Sequence, residues 1–312
     1  VKHKLGESPL LLLSGGTGGP KLLRGLLTVR PETQITVVVN TGDDIWVSGN
    51  LVCPDVDTVI YTIAGISTER CWGMRDDTFL THDALKSRGH EEALAIGDLD
   101  RATHIFRTSL LRHGATLTEA TRQVCASLAI VSPVLPMTDD FVPTMIETDG
   151  GKMHIQEFLI KRTQQPHVLK VHCGKGVMTT EVKTALAEDG AVVIGPSNPI
   201  SSIGPILQVK GMRDALKNHF VAAVSPILRT EPFSGPARKF MESVGLPVSS
   251  AGVAEFYGDF LDVLIVDNKD FEISRRDLPR EIEVLRANTV MRSKEDRGEL
   301  AGQILQILAK YS

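Results

Sequence analysis

The chain has 312 residues, 42% hydrophobic and 23% charged, with a formal net charge of -4 and a pI near 6.2. That length buries a sizeable core, and the composition is that of an ordinary globular protein. The charge balance excludes a generally basic surface, and with it a nucleic-acid polymer as partner, but it allows a small anion held by a local loop. Four widely spaced cysteines, Cys53, Cys71, Cys125 and Cys173, form no C-x-x-C, so free thiols in a reducing cytoplasm are expected and no zinc site is signalled. The polar lead before Leu10 and the four leucines after it are too short for a signal peptide or a membrane span.

Leu10 to Leu13 reads as a strand buried on both faces, of the kind found inside a parallel sheet. It stops at Ser14-Gly15-Gly16-Thr17-Gly18-Gly19, and Pro20 opens a helix. Strand, glycine loop and helix start is a geometry that binds phosphate through free N–H groups and the helix dipole. The spacing matches neither a P-loop nor a clean G-x-G-x-x-G, so the loop also reads as a tight connection. Gln34 to Val39 is a second buried strand, ending in Asn40-Thr41-Gly42-Asp43-Asp44. Val56 to Ala64 reads as a helix that follows Asp55 and carries Asp57 in its first turn.

Residues 67–128 carry helical patterns, over 76–89, 90–114 and 116–128, and read as a helical insertion; Thr116 and Glu119 match a capping box. Within 129–178, Ala129 to Pro136 reads as a strand punctuated by prolines. Pro143 to Thr148 and Lys152 to Phe158 read as a hairpin about Asp149-Gly150-Gly151, with His167 to His172 as a further strand. The α/β pattern then returns: a helix over Thr180 to Glu188, a strand over Ala191 to Ile194, Gly195-Pro196-Ser197-Asn198-Pro199, and a helix over Met212 to Asn218. A strand over Val221 to Val224 ends in Ser225-Pro226-Ile227, and Ser234 to Ala237 opens another helix. A strand over Phe260 to Asp267 and an amphipathic helix from Glu299 to Tyr311 close the chain.

The pattern predicts a single α/β domain over 1–312: a Rossmann-like, mostly parallel sheet with a helical insertion at 67–128 and a small antiparallel hairpin segment at 129–178. If the four buried strands lie parallel, their polar ends share one edge, where open α/β sheets bind ligands. Asn40, Asp43, Asp44, Ser197 and Asn198 then line one cleft. Carboxylates facing a phosphate loop call for a metal or a proton between them, which points to Mg²⁺ at Asp44 and Asp43; Asp55 and Asp57 are the second carboxylate pair, or helix caps. Asp98, Arg101 and His104 recur at near-helical spacing, either as ligand contacts or as intrahelical pairs.

SGGTGGPKLLRGL, VVVNTGDDIWVSGNLVCPDVDTVIY, GDLDRATHIFR, LPMTDD, IGPSNPISSIGPIL, SPI, SGPA and AEFYGDFLDV, in this order from Leu10 to Asp267, resemble the archaeal 2-phospho-L-lactate transferase family of coenzyme F-420 biosynthesis. The resemblance implies transfer of 2-phospho-L-lactate, or its phosphoenolpyruvyl counterpart, from a diphosphoguanosine donor. The acceptor it implies is the ribityl hydroxyl of 7,8-didemethyl-8-hydroxy-5-deazariboflavin, with GMP leaving and Mg²⁺ as cofactor. It assigns Gly15, Gly16, Thr17, Gly18, Asn40, Gly195, Ser197 and Asn198 to the nucleotide and Asp44 to the metal. Asp57 and the position of Ala95, the latter through its main chain, fall to the deazaflavin. Asp57 and Asp98 are the candidate catalytic bases. It also implies a cytoplasmic homodimer. The rival readings are a nucleotide-sugar-binding regulator of the same wider family and a nicotinamide-dependent oxidoreductase; the latter wants an acid where Asn40 ends the second strand.

Overall fold

Leu10–Ser14 is strand β1, and all five of its residues are buried. Leu10 and Leu12 enter one apolar layer with Leu22, Leu26 and Ile304, and Leu11 and Leu13 enter the opposite layer with Ile203, Phe240 and Tyr257. Burying a leucine side chain is worth roughly 1.5–3 kcal/mol, so this one strand gathers an amount comparable to the net stability of a domain. The computed structural model describes residues 9–188, 190–228, 231–232, 235–270, 273, 276, 278–279 and 281–311. The polar lead over 1–8 and Ser234 lie outside the described residues.

In chain order β1 leads to helix α1 (Gly18–Val29) and β2 (Ile35–Val39). A short hairpin follows, β3 (Ile45–Val47) and β4 (Asn50–Val52), and then α2 (Pro54–Ile63). The insertion supplies α3 (Leu80–Ser87), α4 (Asp98–Arg112) and α5 (Leu117–Ser127) before β5 (Val134–Pro136). Next come β6 (Met145–Thr148), β7 (Gly151–His154) and β8 (Val168–His172), then α6 (Thr180–Ala187) and β9 (Ala191–Ile194). Helices α7 (Gly204–Gln208) and α8 (Met212–Leu216) precede β10 (Val221–Val224) and the two-residue strands β11 (Ile227–Leu228) and β12 (Glu231–Pro232). The chain ends with α9 (Ala237–Ser243), α10 (Ser250–Tyr257), β13 (Val263–Asp267), β14 (Glu283–Ala287) and α11 (Lys294–Lys310).

Seven strands form one sheet in the order β14-β13-β10-β9-β1-β2-β5, and every pairing in it is parallel. The sheet winds outward in both directions from β1, so its topological switch point lies between β1 and β9. The four polar strand ends expected to share an edge do so, because β1, β2, β9 and β10 run the same way. A separate antiparallel sheet, β7-β6-β8, holds the predicted hairpin and the strand near His172.

Local differences have physical causes. The hairpin's second strand stops at His154 and not at Phe158, because Glu157–Lys161 coils into a π-helical turn that buries Phe158 against Phe240 at 5.6 Å. Only Val134–Pro136 of the predicted strand from Ala129 pairs; Ala129 has φ +56°. Residues 90–97 are not helical, since Leu94 and Ile96 pack on Val47 and Val52 of the β3–β4 hairpin. Helix α11 starts at Lys294, five residues before the expected Glu299, because Ser293 and Asp296 form a capping box. Among the described residues no helix is long and apolar enough to cross a membrane, and all four cysteines are free.

Candidate active site

A cavity of about 400 Å³ opens at the switch point, lined by Gly16, Thr17 and Gly18 after β1 and by Pro196, Ser197 and Asn198 after β9. The two loops are in contact. Gly16 takes φ +57°, and a Cβ on Gly18 would fall on the Pro196 carbonyl. Ser197 Oγ donates to the Gly15 carbonyl at 2.6 Å and accepts from the Gly19 N–H at 3.0 Å, joining the loops. Asn198 Oδ1 accepts from the N–H groups of Ile200 and Ser201 and so caps the turn that follows. Gly15 and Gly195, expected in the nucleotide pocket, do not line this cavity; they pack beneath it, against Ser202 and Gly19.

Asn40 is also absent from the lining, for a clear reason. Fully buried, it donates from Nδ2 to Asp43 at 2.9 Å and to Asp55 at 2.8 Å, and its Oδ1 accepts from the Gly42 N–H. It organises carboxylates, and both of its Nδ2 protons are spent on them. Asp43 and Asp55 are the acids on the cavity wall. Burial and then the neighbouring Asp55 push Asp43 well above the usual carboxylate range. Burial also raises Asp55, to about 6, against the pull of the Gly16 N–H and Asn40. Gln156 donates from Nε2 to Asp43 at 2.8 Å, and its buried Oε1 has no partner among the described residues.

Asp44, the first metal position expected from the sequence, lies off this wall. It is 2% exposed, lines neither this cavity nor the notch described next, and burial drives its carboxyl well up against the pull of Cys53 and Arg107. The carboxylates that face the cavity are therefore Asp43 and Asp55, because the turn after β2 aims consecutive side chains in different directions.

A second, narrow notch of about 30 Å³ is lined by Asp57, Tyr61, Trp72, Leu94, Ala95, Ile96 and Asp100, among others. Asp57 and Ala95, predicted as partners for one ligand, thus meet there. Arg107, fully buried, grips Asp57 through both guanidinium Nη atoms, and His104 Nε2 lies 3.2 Å from Asp57 and 3.2 Å from Asp100. Burial pushes the Asp57 carboxyl up, but Arg107 and His104 outweigh it and hold it at about 2. Burial lowers the His104 imidazole, yet Asp100 and Asp57 outweigh that and raise it to about 9. Asp57, Asp100 and His104 could together hold a cation, one ligand atom from each lying within 4.8 Å of the others. The charges argue otherwise: two carboxylates already face Arg107 and an imidazolium, so this cluster is an ion-pair network.

Asp98 does not reach either cavity's wall. Its carboxylate accepts from Thr78 Oγ1 at 2.6 Å and from the N–H groups of Leu80 and Thr81, which pulls its pKa down and makes it a fastening for the start of α3. As a base it is poorly placed and weak. Arg101 turns to Glu92, bonded by both guanidinium arms, so the expected shared face of Asp98, Arg101 and His104 divides into three separate duties. Sequence reasoning missed Gln156, Leu159 and Ile160, which bring the antiparallel segment over the cavity, and Trp72, which lines both cavities. A π-helical turn after a hairpin has no periodic signal that marks them.

A doubly wound parallel sheet whose cavity lies at the switch point, walled by glycine loops and buried carboxylates, defines a Rossmann-like α/β ligand-binding architecture. The chain belongs to the 2-phospho-L-lactate transferase family: the family model described as "2-phospho-L-lactate transferase CofD" matches residues 10–303. The 2-phospho-L-lactate transferase of Methanococcoides burtonii is 46% identical over 304 residues, covering 96% of this chain and 99% of its own. That of Methanothermobacter thermautotrophicus is 46% identical over 280 residues, covering 89% and 90%. A solved Bacillus halodurans protein of the UPF0052 family superposes with a TM-score of 0.62 at 16% identity, over 96% of this chain and 99% of that one, and shares the fold.

Proposed function

We propose that the chain transfers 2-phospho-L-lactate, or its phosphoenolpyruvyl counterpart, from a diphosphoguanosine donor to the terminal ribityl hydroxyl of 7,8-didemethyl-8-hydroxy-5-deazariboflavin, a step of coenzyme F-420 biosynthesis. The observation that carries this reading is the adjacency of two sites. A cavity with glycine loops and carboxylates suits a diphosphate and its counter-ion, and the notch holding Asp57 and Ala95 shares the wall Trp72 with it. The names of the relatives supply the reaction class.

The hydroxyl oxygen forms a bond to the phosphorus bearing lactate. The bond from that phosphorus to the bridging oxygen breaks, its electron pair leaves with GMP, and the hydroxyl proton passes to solvent. Such transfer depends on positioning and charge stabilisation more than on a strong base. That fits Asp57, which Arg107 keeps ionised: it accepts a hydrogen bond and orients the acceptor. The Gly19 N–H is taken by Ser197 and Pro20 has none, so Thr17 and Gly18 at the start of α1 meet the diphosphate.

The residues present fit Mg²⁺. Asp43 and Asp55 converge on one amide, Gln156 Oε1 has no partner among the described residues, and all are hard oxygen donors that would hold the ion. When bound, it offsets the charge between the donor's phosphates and these carboxylates. Mg²⁺ and protons then compete for the pair. Burial raises both carboxyls, so Mg²⁺ raises the melting temperature of the ligand-free protein more at about pH 8 than at about pH 5. Equal shifts at both pH values contradict the assignment.

The direct test is turnover: purified protein, deazaflavin alcohol, lactyl diphosphoguanosine and Mg²⁺, with GMP and phosphorylated deazaflavin followed by chromatography. Both products form and both vanish with EDTA. Nucleotide binding without turnover on either donor moves the nucleotide-sugar-binding regulator into first place. The family resemblance also supports a cytoplasmic homodimer, for which sedimentation gives twice the 33.9 kDa chain mass.

A further inference from the structure

We propose that Trp72 is the stacking platform for the planar ring of the acceptor, so that only the ring's polar edge enters the notch and the ring body lies on the indole. The inference rests on the transfer reading above and adds a residue to it. The notch measures about 30 Å³. A water needs at least roughly 10–15 Å³, so this space admits an edge carrying one or two polar atoms and not a tricyclic ring. Its polar wall is Asp57, Tyr61 and Asp100, and its apolar wall is Leu94, Ala95 and Ile96. Asp57, gripped by both guanidinium arms of Arg107, offers carboxylate oxygens to the notch, which calls for an N–H or O–H on the entering edge. The rest of a flat aromatic ligand then needs a surface beside the notch.

Trp72 supplies that surface. It lines both the notch and the larger cavity, and 43% of it remains exposed. The segment that presents it is fastened in place. Ser67 and Met74 form an antiparallel bridge that closes the loop. Thr68 Oγ1 donates to the Trp72 carbonyl at 2.7 Å and accepts from the Trp72 N–H at 3.2 Å. Arg24, on the helix that follows the glycine loop, donates to Ser67 Oγ at 2.6 Å and to the Thr68 carbonyl at 2.5 Å. Cys71 is fully buried at φ +54° and Gly73 sits at φ +65°, so two left-handed residues flank the tryptophan. A left-handed non-glycine beside a half-exposed indole is backbone held against its preference, which the surrounding bonds maintain. The result is a half-exposed indole carried between the two sites on a fastened backbone segment, tied through Arg24 to the helix at the donor loop.

Stacking of a heteroaromatic ring on such a side chain is worth roughly tenfold to a hundredfold in affinity. Trp72→Ala therefore raises the KM for the deazaflavin alcohol by about that factor and changes the KM for the donor less than about threefold, and Trp72→Phe restores most of the loss. Equilibrium binding of the deazaflavin alcohol without donor, read by its own fluorescence, weakens in parallel. The indole is half-exposed, so the Ala variant keeps its fold; its melting temperature checks this. An unchanged deazaflavin KM and affinity in Trp72→Ala, or equal increases in both KM values, overturns the inference. Absence of turnover in the unsubstituted protein defeats the transfer reading instead, and the binding measurement still decides the role of Trp72.

Discussion

Arg107→Met destabilises the protein by about 3–5 kcal/mol at neutral pH. Arg107 is fully buried, and it is held by both oxygens of Asp57 and by the Leu51 carbonyl. Methionine fills a similar volume, so little of the loss is a cavity. The loss comes from leaving the Asp57 carboxylate in a low-dielectric site with only His104 to compensate it. The double variant Arg107→Met, Asp57→Asn regains much of the stability, because the uncompensated charge goes with its partner. Acid titration gives a second reading. Asp57 sits at about 2 in the folded protein, below its usual value when unfolded, so its contribution is complete above about pH 4 and fades as the pH falls toward 2. That contribution is about 2–3 kcal/mol, and it is missing from the acid limb of the Asp57→Asn variant. Urea denaturation across that pH range checks both statements. A loss under about 1 kcal/mol in Arg107→Met contradicts the ion-pair account.

Asp55→Asn lowers kcat by about a hundredfold or more, as loss of a charge-stabilising group at a phosphoryl-transfer centre does. Its stability moves the other way with pH. Asp55 stands at about 6 when folded and near 4 when unfolded, so ionising it costs stability between those values. The cost is absent below about pH 4 and complete above pH 6, near 2–3 kcal/mol. Asparagine does not ionise. The variant therefore gains on the unsubstituted protein by about that amount as the pH rises from about 4 to 7, whatever hydrogen bond it loses to Gly16 or Asn40. An inactive variant whose relative stability climbs with pH is the mark of a functional carboxylate held in an unfavourable place. A variant with full activity, or with a flat stability difference, removes Asp55 from the site.

The parallel core was readable because burial on both faces writes itself as unbroken apolar runs: Leu10 to Leu13, Val37 to Val39, Ala191 to Ile194 and Val221 to Val224. Strand β14 was not, since Glu283–Ala287 lies at the sheet edge and is mostly half-exposed with two charged residues in five. The β3–β4 hairpin is too short to show a period, and its turn is marked only by Ser48 and Gly49, both at positive φ. At the site, Gly16, Thr17, Gly18, Ser197 and Asn198 were legible as strand-end turns on one edge and do line the cavity. Asn40 shared their signal yet serves beneath the wall, because a strand-end asparagine that bonds two carboxylates looks the same in sequence as one facing a ligand. Asp44 and Asp43 are adjacent in sequence, so no pattern distinguishes which one faces the cavity; only the backbone turn does. Asp98 resembled a base by its company, but that company is a helix cap.

The central claim is that the donor's diphosphate and its cation occupy the switch-point cavity. Diffraction from crystals grown with GDP and Mn²⁺, phased to show the manganese anomalous signal, tests it most directly. The account predicts a manganese peak bonded to Asp43 and Asp55 with the diphosphate against Thr17 and Gly18. A peak between Asp57, Asp100 and His104, or a diphosphate bound away from the glycine loops, contradicts it.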